Sequence, residues 1–402
     1  MYSFLPPWPP AANGFILFGL LIIGGLVGGR LAQRTGVLPR ITGFIFMGVM
    51  LGPGVSGVIS PGMLENAQVF VDVALGLILF QMGRLLDVEL VWRERALVLA
   101  SSLESALSFV AVFAVLLNLG FPAVHAGLAA AIGISSSPAI VLLVVKELGA
   151  RGPITERTLV LVALNNAISF LAFLALLPAV HRAHNESWGP TLLGPLYVLI
   201  VSVVIALVLA WGLIRLARQL PRDERTQFAL LLGTIIGAVG LAKMLGGSPL
   251  LTLLALGILV HNMDLEDVLL PVDFGMGAEL FFVILFVVAG ARMHLEDVLL
   301  AGIPALAFVL ARFVGKYLGL LALRGAGFDA HDAGLIGLNL MPMAGMAIGL
   351  TQMLTERYPV FIGTFSAIVF AAIAILETIG PIATEYALKR SGEVADGAQV
   401  KH

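Results

Sequence analysis

Cysteine is absent from the chain, and only 12% of its 402 residues are charged. The first absence excludes a disulfide framework and a thiolate metal site. The second separates the chain from soluble domains, where about 25% of residues are charged. Basic and acidic residues nearly cancel, 23 against 25. That balance gives no sign of a nucleic-acid partner. Also missing is the alternating ten-residue pattern of a membrane barrel. Apolar residues are what the chain has in quantity, 59% of the total. Runs of about 20 apolar residues, enough to cross a bilayer, recur from Gly14 to Leu388. The fold expected is an all-α polytopic membrane protein.

Thirteen spans can be read, near 14–32, 38–51, 66–83, 95–117, 122–146, 157–180, 191–217, 226–242, 248–262, 274–291, 298–323, 332–355 and 359–388. The odd-numbered loops and the C-terminal tail hold 17 Lys and Arg, the even loops 4. By the positive-inside rule the C-terminus is cytoplasmic and the N-terminus outside. An odd number of spans requires the same. The first residues, Met1–Asn13, carry no basic residue and do not resemble a cleavable signal peptide. Gly24…Gly28 and Gly25…Gly29 suit close helix packing rather than a nucleotide-binding loop. Met263–Leu270 recurs almost unchanged at Met293–Leu300, and both copies read as acidic helix starts at the interface. His181 and His184 read as solvated loop residues, and Asn185–Ser187 fits a glycosylation pattern too short to weigh.

Two spans are interrupted. The fifth contains Ser135, Ser136, Ser137 and Pro138, the twelfth Pro342 and Gly345. Proline removes a backbone donor and clashes with the preceding turn. A kink is the plain reading of either alone, but matched interruptions in two halves point to a transporter's midplane site. The expected architecture is two inverted six-helix repeats around the seventh span, with two broken helices.

Two cations, Arg312 and Lys316, lie inside the eleventh span, four residues apart and so on one helix face. Charge at this depth marks a pathway or a paired site. Arginine keeps its charge in any protein environment, whereas a desolvated lysine without a partner can lose its proton. Asp72 and Glu279 read as structural residues in first turns. Glu104 and Glu377 fall near the midplane, and each is a candidate partner for the cations.

The run Ser135-Ser-Ser-Pro-Ala-Ile, Lys146 to Thr155, and Val162-Ala-Leu-Asn165-Asn166 resembles the core of the monovalent cation:proton antiporter-2 family. Gly290-Ala291, Ala311 to Gly319, Leu340 to Gly345 and Glu377-Thr-Ile-Gly-Pro381 extend the resemblance over nearly the whole chain. It implies crossing broken helices and a homodimer working as an elevator. The mobile core would comprise residues near 66–180 and 274–388, including the broken helices 122–146 and 332–355. The scaffold helices would lie near 14–51 and 191–262. The resemblance also implies an ion site on the helix after the first break, paired with Lys316 or Arg312. Two positions depart from the pattern. Asn165 and Asn166 occupy the two expected acidic positions, and Met343 stands where the family often has a polar residue. An amide offers one uncharged oxygen and cannot take part in proton-versus-cation competition.

The expected function is cation:proton exchange, Na+ or K+ against H+, in a bacterial inner membrane. The cation would sit between Asn165, Asn166 and Ser135–Ser137, with Lys316, Glu104 or Glu377 as proton carrier. Two alternatives follow from the missing carboxylates. One is transport of a small anion, or uncoupled transport, through an uncompensated positive site at Arg312 and Lys316. The other is a non-transporting sensor that kept the fold. No cofactor or multivalent metal is implied. No nucleophile–base–orienter set suggests an enzyme.

Overall fold

A computed structural model describes residues 14–35, 38–84, 86, 88–89, 95–183, 188–264, 268–269, 275–292, 295–322, 329–358, 361 and 363–394. Among these residues there are sixteen helices and no strand. The chain packs as two compact units, residues 1–74 with 275–294 and residues 75–274 with 295–402.

The first unit holds α1 (Gly14–Arg34), α2 (Arg40–Leu51), the short α3 (Pro61–Asn66), the start of α4 (Gln68–Arg84) and α12 (Gly275–Ala291). Glycine sets the spacing here. A Cβ on Gly28 would stand 2.3 Å from the Gly43 carbonyl, and one on Gly290 2.1 Å from that of Ile45. Only bare backbone lets these helices approach so closely, as the glycine spacing of α1 leads one to expect. Asp72 accepts from Gln68, whose own oxygen, with the Leu64 carbonyl, receives Arg292. Asp72 therefore lies in the second turn of α4, not the first. The Glu279 side chain is outside the described residues.

The second unit contains the rest of α4 and α5 (Arg95–Asn118), α6 (Ala123–Ile134), α7 (Pro138–Leu148), α8 (Pro153–Ala183) and α9 (Trp188–Ala217). It continues through α10 (Glu224–Met244), α11 (Pro249–Met263), α13 (Leu295–Leu321), α14 (Ala330–Asn339), α15 (Gly345–Arg357) and α16 (Thr364–Arg390). Every span read from the sequence has a helical counterpart. Eight helical stretches are long and apolar enough to cross a membrane, counting α6 and α7 as one. α2, α11 and the Leu280–Ala291 part of α12 are apolar but shorter. Helix α13 is kinked at Gly302, just before Pro304, which has no amide to close the turn.

The repeated acidic motif takes two local forms. The second copy opens α13, as expected. The first begins where α11 ends, and Asp264 accepts from the amides of Val268 and Leu269. Its reading as a helix start is not what Asp264 does. His184 and Asn185–Ser187 lie outside the described residues, as does the side chain of His181.

Candidate functional site

Each break follows from its proline. Pro138 has no amide to donate and holds the residue before it out of the helical region. Ser137 is accordingly extended, at φ −80° and ψ 107°, and its hydroxyl accepts from the Ile140 amide to cap α7. Residues 341–344 form the second interruption, between α14 and α15. The two breaks are joined directly. The Ser137 amide donates to the Pro342 carbonyl at 2.8 Å, and the Ser136 hydroxyl to the Leu340 carbonyl at 3.0 Å.

This junction exposes the carbonyl ends of two half-helices, α6 and α14. Arg312, fully buried on α13, is drawn to both. Its Nε donates to Gly133 O at 2.7 Å and its Nη2 to Ser135 O at 2.6 Å, on the first break. On the second, Nη1 reaches Met341 O at 2.7 Å and Nη2 reaches Leu340 O at 3.1 Å. A helix C-terminus carries about half a negative charge. Two of them face one guanidinium, so every hydrogen bond that meets the charge comes from main-chain carbonyls and the Ser136 hydroxyl.

Lys316 lies one turn further along α13. Its ammonium donates to Ile134 O at 2.8 Å and pairs with Glu104 Oε2 on α5 at 2.9 Å. Both side chains are buried, at 1% and 0% exposure. Glycine again permits the contact. A Cβ on Gly319 would lie 2.3 Å from the Glu104 Cα, and one on Gly315 2.5 Å from the Ser108 Cα. Lys316 thus sits between two glycines that press α13 onto α5.

The expected uncompensated positive pocket is not what the structure has. The sequence-level count weighed side-chain charge alone. Glu104 neutralises Lys316, and main-chain carbonyls meet Arg312. Of the two midplane acids read from the sequence as candidate partners, Glu104 is the one that pairs with Lys316. Its carboxylate comes from α5, before the first break, and not from α8 after it.

Asn165 and Asn166 are buried on α8, facing protein. Asn166 Nδ2 donates to Ser136 O at 2.9 Å and to Val162 O at 3.0 Å, tying α8 to the first break. Ser169 adds a bond to Ala131 O, and Asn339 donates to Thr158 across to the second broken helix. Asn165 Oδ1 accepts from the Ser101 hydroxyl at 2.8 Å, and its side chain lies beside Glu104. Three atoms here are buried and make no hydrogen bond: Glu104 Oε1, Asn166 Oδ1 and Asn165 Nδ2. Ser135 donates to Ile132 O, and Met343 is fully buried. The structure therefore brings Ser135–Ser137, Asn165, Asn166, Glu104, Arg312 and Lys316 around one junction. Among the described residues Glu377 makes no hydrogen bond or ion pair with either cation. Ser101 was missed from the sequence. The signal was the spacing Ser101, Glu104, Ser105, Ser108, a buried polar stripe along an apolar helix.

A sequence profile described as "Sodium/hydrogen exchanger, transmembrane" matches residues 18–389. No curated protein sequence matches the chain. Among solved structures the fold is similar to that of the sodium proton antiporter MjNhaP1 from Methanocaldococcus jannaschii at pH 8, at 16% identity and a TM-score of 0.71. That likeness covers 96% of this chain and 99% of the other. A second structure of the same antiporter, from electron microscopy, gives 17% identity and a TM-score of 0.70 over 93% of this chain and 94% of that one.

Proposed function

The chain belongs to the sodium/hydrogen exchanger family, and from that premise we propose that it exchanges a monovalent cation, Na+ or K+, for a proton at the Lys316–Glu104 pair. The observation that carries this reading is the pair itself. It is the charged, proton-bearing couple at the junction of the two breaks, in a place where the expected acidic positions hold amides.

Glu104 supplies the negative charge that Asn165 and Asn166 lack. With Lys316 protonated, the pair is neutral and closed. A cation entering beside Glu104 Oε1 and Asn166 Oδ1, both without partners, takes over the carboxylate. The ammonium then faces a second cation in a dry site. It releases its proton to water, because an unpaired buried lysine favours its neutral form. Reprotonation restores the ion pair and expels the cation. Site charge is unchanged in both states, so this pair alone moves one proton per cation. Arg312 takes no part in the exchange and braces the carbonyl ends of the breaks.

The resemblance of the chain to elevator antiporters supports alternating access by movement of a core against scaffold helices in a homodimer. The loop charges support a cytoplasmic C-terminus, and a bacterial inner membrane is the placement proposed. The deciding experiment is flux in sealed liposomes. Sodium- or potassium-driven proton movement is expected in the natural chain and lost, with folding intact, in Glu104→Gln and Lys316→Gln. Coupled flux that survives in both variants would remove the pair as carrier.

A further inference from the structure

We propose that Glu377 is a second proton-binding group of the transport cycle, separate from the Lys316–Glu104 pair. It lies in the interior of α16 at 1% exposure. Among the described residues its side chain makes no hydrogen bond and no ion pair, and its Oε1 is buried without a partner. Pro381 stands four residues on, inside the helix, and has no amide to donate back to the Glu377 main-chain carbonyl. The buried acid thus has a side-chain oxygen without a partner, four residues before a proline that supplies no amide.

Such an arrangement does nothing for packing. A buried polar group without a partner costs several kcal/mol, and an unpaired charge costs more. A methionine or leucine would fill the same space without that cost. A bound proton on this carboxyl avoids the larger of those costs.

Among the described side chains, the charged groups on helices packed against α16 have other partners or places. Arg312 is held by carbonyls and Lys316 by Glu104. His331 and Asp332 pair with each other at the start of α14, and His125 stacks on Phe361 and Phe365. Lys146 and Glu147 close the last turns of α7. None bonds to Glu377.

What links the residue to the cycle is its neighbour one turn on. Gly380 is pressed on the second break, where an added Cβ would lie 2.8 Å from the Pro342 Cα. Three residues after Pro342 begins α15, whose N-cap is Ala344 with no side-chain cap. The first amides of a helix are unsatisfied and carry positive partial charge. When the break rearranges, the Glu377 O–H bond breaks, the proton passes to water, and the carboxylate is received by these amides. The released proton adds to the one carried by Lys316, so the exchange moves net charge.

The charge-movement part rests on the antiport reading; the proton-binding part does not. Infrared difference spectra of the purified full-length protein, recorded on raising the pH, test the latter. The expected result is loss of a protonated-carboxyl band that is absent in Glu377→Gln, retained in Glu104→Gln, and shifted but present in Glu377→Asp. No such band in the natural protein, or a band that survives in Glu377→Gln, overturns the proposal. In liposomes, coupled flux that responds to membrane potential should lose that response in Glu377→Gln while exchange continues. A potential response kept by the variant overturns the second-proton role. Absence of all coupled flux instead refutes the antiport reading and leaves the infrared result standing.

Discussion

The Lys316–Glu104 contact costs two desolvated ions and returns most of that only while both are present. Removing one partner of a buried pair typically destabilises by roughly 3–5 kcal/mol, because the survivor is left uncompensated. Glu104→Gln and Lys316→Met should each lower the melting temperature in detergent by an amount in keeping with that loss. Glu104→Gln combined with Lys316→Met should cost clearly less than the sum. Strict additivity would show that the two groups are not coupled. Lys316 and Arg312 were legible in the sequence because a cation inside an apolar run stands out, and Glu104 was legible as one of two midplane acids. The compensation of Arg312 was not, because the charge on helix-end carbonyls has no letter in a sequence. Asn165 and Asn166 were legible only through family likeness, and their bonds to Ser101 and Ser136 were beyond any pattern.

Helix ends and helix contacts fix where those side chains can reach. The breaks could be placed from Ser137-Pro138 and Pro342, since proline's effect on the preceding residue is local. Long-range contacts left fainter marks. Gly315 and Gly319 flank Lys316 with the spacing of a close helix contact, and α5 lies directly on them. Gly319→Ala should force α13 off α5, costing about 1–3 kcal/mol as overpacking does. It should also weaken coupled flux more than Gly233→Ala, whose added Cβ meets nothing within 4 Å. Equal effects at both positions would argue against a close-contact role. Another contact had no sequence signal at all. Glu393, past the end of α16, accepts from the amides of Ile154 and Thr155 at 2.7 and 2.8 Å and from the Thr155 hydroxyl at 2.7 Å. It caps the helix that carries Asn165 and Asn166 from more than two hundred residues away. Capping by an anion at a helix N-terminus contributes about 1 kcal/mol. Glu393→Ala should therefore lower thermal stability modestly, and a shift no different from that of an exposed control such as Glu65→Ala would remove the cap from the account.

Across the whole chain, the same distribution of charge that identifies the spans also supports a direction for them. Loops after odd-numbered spans, together with the C-terminal tail, collect 17 basic residues against 4 in the even loops, and such a bias supports an orientation because basic loops resist translocation. The helical segments agree with the spans, yet a helix has no inside or outside until a membrane is added. Direction is thus a property of the sequence that the fold does not repeat. The cysteine-free chain makes the test direct, since one introduced thiol is the only thiol. Gln219, exposed after α9, belongs to an odd loop. Met244, 71% exposed at the end of α10, borders an even one. A membrane-impermeant maleimide applied to intact cells should label Met244→Cys and spare Gln219→Cys, and inverted vesicles should reverse the pattern. Labelling of both from one side would mean that the α10 segment does not cross, which would break the odd count and return the C-terminus to the same side as the N-terminus. Because the exchange proposed for Lys316 and Glu104 needs access from each face in turn, that result would also require the path to the junction to be drawn anew.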